Sequence, residues 1–326
     1  MAQRILTGYR PTGKLHLGNL HGNLKEMIEL QEKAECYFFI ADWHALTTDY
    51  QDPSRMREYT EDMVLDWLAA GIDPGKAAVY RQSDLPEVAE LSLYLSMITP
   101  LGWLERVPSF KEQQEQLQGR EISTHGFLGY PVLQAADILM VRADGVPVGE
   151  DQLPHLELTR EIVRRFNHLY GETFKEPQSL LSRSPRIPGT DGRKMSKSYG
   201  NFISLTDSPD ELRKKVLSMI TDPARRTRKD PGDPEKCSAY ALHKVHTMDR
   251  LDEVAKKCRT AGWGCVECKG ILADRVVESL LPFQERRRAL EARPGYAWEV
   301  MAQGLETVKP LARSVLGEVR SRIGIG

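Results

Sequence analysis

The chain has 326 residues, of which 40% are hydrophobic and 28% charged, with a formal net charge of −1. This composition is typical of a globular protein and excludes disordered, collagen-like and low-complexity classes. A charge near zero argues against indiscriminate nucleic-acid binding, and no apolar run is long enough for a membrane helix. With no export signal and only five cysteines, we expect a cytoplasmic protein of two domains.

Strand-like and helix-like segments alternate through the first half of the chain. Short apolar stretches at residues 4–8, 36–41, 77–80 and 146–148 predict buried strands, separated by helical patterns. Asp52 and Pro53 are predicted to cap a helix that ends at Gly71. The alternation predicts an α/β fold with a doubly wound parallel sheet, in which ligands bind at the carboxyl ends of the strands.

The pattern changes near residue 206 to long charged segments with spaced Leu and Val. These segments lie at residues 209–220, 236–258, 271–294 and 297–322 and predict helices. We therefore expect a catalytic domain at residues 1–205 and an α-helical domain at residues 206–326. Residues 185–201, rich in Gly, Pro, Ser and Lys, are predicted to form a mobile loop between them.

The turn after the first strand carries the sequence PTGKLHLGN at residues 11–19. A turn that opens a helix offers unpaired backbone N–H groups to a phosphate. Gly18 lets a nucleotide lie against the backbone, and His16 and Asn19 are three residues apart, so they face the same way. Both can donate hydrogen bonds to a phosphoryl group, which makes this turn a candidate phosphate site.

A second motif, KMSKS at residues 194–198, lies in the predicted loop. Lys194 and Lys197 can close over a polyphosphate and stabilise the charge of a departing pyrophosphate. A lysine-rich loop by itself is usually only solvated. Its pairing with the HLGN turn is much more specific than either motif alone.

Four of the five cysteines, Cys237, Cys258, Cys265 and Cys268, form the pattern C-x20-C-x6-C-x2-C. Four thiolates suit a [4Fe–4S] cluster or a structural Zn²⁺, and unliganded thiols are the remaining alternative. The pattern favours the cluster, because zinc frameworks more often use two C-x2-C pairs and only one is present. Cys36, inside an apolar stretch, is expected in the core.

Together, HLGN and KMSKS resemble the two signatures of class I aminoacyl-tRNA synthetases. Other segments narrow the resemblance to the bacterial-type tryptophanyl-tRNA synthetases, over nearly the whole chain. These segments are ADWHALT at residues 41–47, YPVLQAADIL at 130–139, VPVGEDQ at 146–152, HLELTR at 155–160 and DPGDPEKC at 230–237.

The resemblance implies a Rossmann-like catalytic domain and a two-step reaction. The carboxylate of L-tryptophan attacks the α-phosphate of ATP, which Mg²⁺ accompanies, and the tryptophanyl group then passes from AMP to the terminal adenosine of tRNA(Trp). It also implies a homodimer and, in a subset of members with similar cysteine spacing, a [4Fe–4S] cluster near the bound anticodon. The helical domain, with its basic stretch at residues 210–230, is then the candidate tRNA surface.

Particular residues match the sites of this family. The catalytic candidates are His16, Asn19, Lys111, Lys194 and Lys197. Asp137 matches the carboxylate that accepts the indole N–H, a nitrogen that can only donate, and the expected pocket neighbours are Tyr130, Gln152 and His44. The residues expected to contact ATP are Arg10, Pro11, Thr12, Gly18, Asn19, Gly149, Glu150, Asp151, Ile187, Lys194, Met195, Ser196, Lys197 and Ser198.

Three alternatives remain at this point. The Gln134–Asp137 spacing also occurs in tyrosyl enzymes, so tyrosine is the alternative amino acid, although the GEDQ segment argues against it. A tRNA-independent nucleotidyltransferase of the same fold would have no reason for Asp137 or a helical tail. A catalytically silent paralogue would have no need to keep both loop lysines.

Overall fold

A computed structural model of the chain describes residues 3–107, 123–181 and 187–326. Five parallel strands form one sheet in the order β3-β2-β1-β4-β5. The strands are β1 (Arg4–Tyr9), β2 (Glu35–Ile40), β3 (Ala77–Arg81), β4 (Gly145–Val148) and β5 (Gln178–Leu181). The predicted doubly wound α/β fold is confirmed, and β5 is a strand that the sequence analysis did not predict.

The sheet is buried on both faces. Along β2, Tyr37 and Phe39 enter one apolar cluster, whereas Cys36 and Phe38 enter the other, as the two-residue period of a strand requires. Cys36 is 2% exposed, which confirms its predicted place in the core. Because the strand order reverses between β1 and β4, the loops that follow these two strands border the crevice where such sheets bind ligands.

Helices connect and cover the strands. In the first half they are α1 (Leu17–Asn19), α2 (Lys25–Leu30), α3 (Asp42–Asp49), α4 (Met56–Ala70), α5 (Pro86–Ile98), α6 (Leu101–Glu105), α7 (His125–Met140) and α8 (Leu153–Tyr170). In the second half they are α9 (Pro209–Ser218), α10 (Ser238–His246), α11 (Leu251–Arg259), α12 (Cys265–Glu291) and α13 (Tyr296–Ile323).

One predicted helix start is wrong. The helix before Gly71 begins at Met56, not at Pro53. The Asp52 carboxylate instead accepts the N–H of Ser54 at 3.2 Å, so it closes a local turn and does not cap the helix. The predicted end is confirmed, since Gly71 has a φ of +122°, which ends the helix after Ala70.

The last helix packs on the sheet of the first half. On α13, Gly304 lies so close to β3 that a Cβ there would be 2.0 Å from the carbonyl oxygen of Val79. Leu305 and Val308 of the same helix share an apolar cluster with Tyr80. This helix is therefore part of the core that supports the carboxyl edge of β3. In the part of the chain that the structure describes, no helix is long and apolar enough to span a membrane.

Candidate active site at the carboxyl edge of the sheet

His16 caps the short helix that follows β1. Its Nδ1 accepts the backbone N–H of Asn19 at 3.3 Å, and the Asn19 Oδ1 accepts the N–H of His16 at 3.1 Å. Burial and the nearby Lys197 lower the pKa of His16 to about 4, so the ring is neutral at pH 7. Because Nδ1 accepts, the proton of the neutral ring lies on Nε2. His16 is thus a neutral imidazole whose Nε2–H is the donor.

The KMSKS loop contacts this turn. A Cβ on Gly18 would be 3.0 Å from His16 Nδ1 and 3.5 Å from the Cβ of Met195, so glycine permits this close approach. The Lys197 Nζ donates to the carbonyl oxygen of Gly13 at 2.7 Å. Burial lowers the pKa of Lys197 to about 8, an effect that the Asp66 carboxylate opposes. The fold therefore brings together the two motifs that the sequence keeps far apart.

Asn201, which the sequence analysis did not assign, organises the loop. Its Oδ1 accepts the N–H of Ser196 at 2.8 Å, and its Nδ2 donates to the Asp191 carboxylate at 2.6 Å and to the Lys194 carbonyl at 3.2 Å. Gly189 lies against this amide, since a Cβ there would be 2.3 Å from the Asn201 Cγ. The buried amide thus links both ends of the loop, while the Lys194 side chain is exposed.

Asp137 lies on α7 behind the ends of β2 and β3, and it is 2% exposed. Gln82 donates from Nε2 to both carboxylate oxygens at 2.9 and 2.8 Å, and the His44 Nε2 lies 2.9 Å from Oδ2. The orientation of the Gln82 amide is fixed, because its Oε1 accepts the N–H of Trp43 at 3.1 Å. Burial raises the pKa of Asp137, and the bonds to His44 and Gln82 oppose the rise. Gln82 was not assigned from the sequence.

Tyr130 completes this side of the site. Its ring lies edge-on to His44, with centroids 6.2 Å apart, and its hydroxyl is 2.7 Å from the His155 Nε2. Burial lowers the pKa of His155 to about 4, so this ring too is neutral. The structure therefore joins three of the four predicted pocket residues, Asp137, His44 and Tyr130. Gln152 is exposed at the start of α8.

The remaining predicted ATP contacts lie in the loops at the same edge. Gly149, Glu150 and Asp151 follow β4, and a Cβ on Gly149 would be 2.6 Å from the Asp151 carboxylate. The Ile187 carbonyl accepts the N–H of Met195 at 3.2 Å. Arg10 and Thr12 are exposed after β1, Pro11 is buried between them, and Ser198 lies in the short turn Lys197–Tyr199. Lys111 lies outside the described residues.

The four cysteines of the second half line one small pocket, together with Arg225, Trp263 and Lys269. Burial and the other three thiols raise the pKa of Cys268, and its Sγ lies 3.3 Å from the His243 Nε2. All four are free thiols. Within residues 3–107, 123–181 and 187–326, no three His, Cys, Asp or Glu side chains are arranged to hold one metal ion.

Comparison with known proteins agrees with this geometry. Residues 2–281 match the family of tRNA synthetases class I (W and Y). The tryptophan–tRNA ligase of Thermotoga maritima is 50% identical over 99% of both chains, and that of Ralstonia nicotianae is 42% identical over 99% of this chain and 98% of its own. The tryptophanyl-tRNA synthetase of Campylobacter jejuni, solved with ADP and tryptophan, is 34% identical with a TM-score of 0.90, over 99% of this chain and 100% of that chain.

The chain therefore belongs to the class I tRNA synthetases. The five-stranded parallel sheet and the hydrogen bond from Lys197 of the KMSKS loop to Gly13 of the turn after β1 agree with that membership. Within the class, it is a member of the tryptophan–tRNA ligases, as the resemblance predicted.

Proposed function

We propose that this tryptophan–tRNA ligase activates L-tryptophan in the crevice between the His16 turn and the loop after β4. The observation that carries the proposal is the contact of the KMSKS loop with the first turn, where Lys197 binds the Gly13 carbonyl. This contact supports the proposal, because it brings a cationic side chain to the turn that carries the neutral N–H donor of His16, and a turn that opens a helix suits a phosphate.

The first step joins the tryptophan carboxylate to the α-phosphorus of ATP. A new O–P bond forms as the bond to the bridging oxygen breaks, and pyrophosphate leaves with that electron pair. The N–H of His16 stabilises charge on the phosphoryl oxygens, and Lys194 and Lys197 stabilise the departing pyrophosphate. Mg²⁺ enters as part of the ATP complex. In the second step, a ribose hydroxyl of the terminal adenosine of tRNA attacks the activated carbonyl carbon, and AMP leaves.

Asp137 selects the amino acid in this proposal. Its carboxylate accepts the indole N–H, while Gln82 and His44 hold it in place. A carboxylate has about four lone-pair positions, so Asp137 can accept one more donor besides Gln82 and His44. Leaving that position unpaired in a buried site costs about 1–3 kcal/mol, so a side chain without an N–H at this point is rejected. Tyr130 closes the pocket beside His44.

Pyrophosphate exchange into ATP tests the proposal. We expect exchange with tryptophan and little with tyrosine, followed by transfer to tRNA(Trp). Exchange that prefers tyrosine would support the tyrosyl alternative. Adenylation without transfer to tRNA would support the nucleotidyltransferase, and an inactive but tRNA-binding protein would support the silent paralogue.

We also propose that Cys237, Cys258, Cys265 and Cys268 hold a [4Fe–4S] cluster. The four cysteines line one pocket, and the other three act on the pKa of Cys268, so all four lie close enough to share one centre. Four thiolates are the ligand set of a [4Fe–4S] cluster, and the single C-x2-C pair favours the cluster over zinc. Arg225 lines that pocket with a buried Nε that has no hydrogen-bond partner within the described part of the chain.

A bound cluster would supply a one-electron centre and would cross-link the start of α10 to α11 and α12. Arg225 and Lys269 would balance the charge of the four thiolates. Iron, zinc and acid-labile sulfide measured on protein purified under nitrogen test this assignment. About four irons and four sulfides per chain would support it, about one zinc without sulfide would replace it with a structural zinc site, and neither metal would overturn both.

The proposed tRNA surface lies on the helical half, residues 206–326, beside a catalytic half at residues 1–205. In the basic stretch, Arg213 pairs with Asp274 and Lys215 with Asp207, so these cations are already neutralised. Lys214, Arg226 and Lys229 are exposed, and they are the cations most available to phosphates. Salt-dependent tRNA binding that weakens in a K214A/R226A/K229A variant tests this surface.

The proposed homodimer uses an apolar face of α5 and α6. Leu93, Met97 and Leu101 are 54%, 72% and 64% exposed there. A single exposed apolar side chain is common on a protein surface, but several on one face indicate a contact surface. Light scattering tests the assembly, and a Met97→Asp variant should shift it toward the monomer. We place the enzyme in the cytoplasm, where its tRNA is used and its free thiols stay reduced.

A further inference from the structure

A buried ion pair joins α12 to α4 beside the HLGN turn. The Arg287 Nε lies 2.8 Å from Asp66 Oδ1, and the two residues are 4% and 2% exposed. Arg287 also binds Asp62 through Nη2 at 2.7 Å and Glu291 through Nη1 at 2.7 Å. Burying two charges costs several kcal/mol in lost hydration, so the pair is not by itself evidence of stabilisation. Its remaining contacts indicate a different role.

The backbone N–H of Leu15 also faces the Asp66 carboxylate and opposes the rise in its pKa. Leu15 directly precedes His16, and its carbonyl accepts the N–H of Leu205 at 3.1 Å and the hydroxyl of Ser204 at 3.2 Å. Leu15, the neighbour of His16, therefore faces the Asp66 carboxylate with its N–H and is bound at its carbonyl by the segment that follows the KMSKS loop.

The Asp66 carboxylate also raises the pKa of Lys197, against the larger lowering by burial. Its negative charge favours the ammonium form, whereas burial and the positive charge of Arg10 favour the neutral amine. His16 also faces this lysine, whose positive charge helps to lower the His16 pKa, so the ring is neutral at pH 7. Asp66 is therefore the negative charge that supports the Lys197 ammonium group.

We propose that Asp66 and Arg287 are positioning residues for the activation step. Asp66 fixes the backbone at Leu15 and supports the positive charge of Lys197, and Arg287 holds Asp66 ionised and in place. The inference rests on the roles proposed above for His16 and Lys197. It assigns a function in the first step to a side chain of α12, which begins at two of the clustered cysteines.

The test is Asp66→Asn, which keeps an oxygen for the Leu15 N–H and removes the charge. Tryptophan-dependent pyrophosphate exchange is measured from about pH 5.5 to 9, together with the KM for tryptophan. We expect kcat to fall about tenfold, with the KM for tryptophan changed less than about twofold. The alkaline decline should move to lower pH, because Lys197 loses its supporting charge.

The low-pH side of the pH–rate profile for pyrophosphate exchange provides a second readout. Burial raises the pKa of Asp66 to about 6, against the opposing effect of Arg287. The wild-type rate should therefore fall as pH decreases through about 6, where Asp66 becomes neutral. This part of the decline should be absent in Asp66→Asn. A residue that only stabilises the fold would not move both limbs of the profile.

Two variants separate positioning from stability. Asp62→Asn removes another carboxylate of Arg287 and a charge that raises the pKa of Asp66, but it keeps the Asp66 carboxylate itself. It should keep kcat at neutral pH within about twofold. The double variant D66N/R287Q replaces the charged pair by neutral groups of similar shape and should fold even if a single variant does not. We expect its kcat to stay low, because the charge beside Lys197 is still missing.

A D66N/R287Q variant with wild-type kcat and pH profile would overturn the inference, and so would Asp66→Asn with both unchanged. Either result leaves the proposed function intact as long as the wild type exchanges pyrophosphate with tryptophan. If the wild type itself shows no tryptophan-dependent exchange, the proposed function fails first.

Discussion

The Lys197 ammonium group donates a 2.7 Å hydrogen bond to the carbonyl oxygen of Gly13, across 184 positions of the sequence. A neutral carbonyl is a weaker partner for an ammonium group than a charged phosphate oxygen. If the turn after β1 binds the phosphates as proposed, the Lys197 side chain can exchange the Gly13 carbonyl for ATP without moving far. The contact then holds the lysine close to its proposed site of action.

Replacing Lys197 by Ala should lower kcat for tryptophan-dependent pyrophosphate exchange by about 10²-fold, since it removes a charge that stabilises the leaving pyrophosphate. The dissociation constant for tryptophan, measured by calorimetry, should not change. Lys175→Ala serves as the control, because Lys175 is exposed between α8 and β5, away from the carboxyl edge. Equal losses of kcat and of tryptophan affinity would assign Lys197 to amino-acid binding.

The activation rate should decline as pH rises through about 8. Burial lowers the pKa of Lys197 to this value, so the ammonium group is charged below pH 8 and neutral above it. Rates of pyrophosphate exchange measured at several pH values around 8 give the midpoint of this decline. In Lys197→Arg the guanidinium stays charged throughout, so the decline should disappear even if the rate is lower. A midpoint near 8 that survives in this variant would belong to another group.

At His16, two amides distinguish the ring nitrogens. Gln places its Nε2 near the position of the imidazole Nε2, whereas Asn reproduces only the Nδ1 position that accepts the Asn19 N–H. Because the proposed catalytic donor is Nε2–H, His16→Gln should keep more kcat than His16→Asn, which should lose about 10²-fold. The opposite order would indicate that helix capping is the main role. The rate should show no His16 titration near pH 6.5, since its pKa is about 4.

Gln82→Leu should weaken tryptophan binding by about tenfold. The variant removes a hydrogen-bond donor to the Asp137 carboxylate, and such a bond is worth about 1–3 kcal/mol. The pKa of Asp137, already raised by burial, should rise further. Tryptophan affinity should therefore fall as the pH decreases, and in Gln82→Leu this fall should begin at a higher pH than in the wild type, because the carboxylate gains a proton more readily. Calorimetry at several pH values measures the effect. Gln303→Leu, an exposed position on α13, is the matched control. Unchanged binding in Gln82→Leu would separate Asp137 from the tryptophan pocket.

Two glycines of α13 should respond oppositely to Ala. At Gly304 a Cβ would be 2.0 Å from the Val79 carbonyl oxygen, so Gly304→Ala should push the helix off β3 and cost about 1–3 kcal/mol or more. At Gly317 nothing lies within 4 Å of the added Cβ, and Gly317→Ala should gain about 0.5–1 kcal/mol from helix propensity. Denaturant unfolding measures both. Equal stability of the two variants would contradict the close packing of α13.

The sequence was informative where chemistry is concentrated in short segments. The strands, the His16 turn and the KMSKS loop carry local patterns, and the expected sheet with its ligand edge follows from them. Gln82 carries no such signal, because its partner Asp137 is 55 residues away and only the fold brings them together. The role of Asp66 also has no local sequence signal, because a carboxylate on an amphipathic helix ordinarily faces solvent.

Local sequence patterns also could not predict that α13 packs on the sheet. The spacing of apolar residues at 297–322 predicts a helix correctly, but it does not say which element that helix covers. A glycine in mid-helix is the one hint, because it costs stability unless a close approach requires it. The wrong cap at Asp52 arose from a similar limit, as the same residue can close a turn as easily as it can cap a helix.

The covering of β3 by α13 also fixes the order of events during synthesis. Val79 is made early, whereas the helix that packs on it, Tyr296–Ile323, is translated only after residues 82–295. Until then the flank of β3 that α13 covers in the finished fold stays open, and exposed apolar surface of this kind favours aggregation. A chain that ended before this helix would leave Leu305 and Val308 out of the cluster around Tyr80, so its first half would be less stable. Completion of the core thus waits for the last helix to be synthesised.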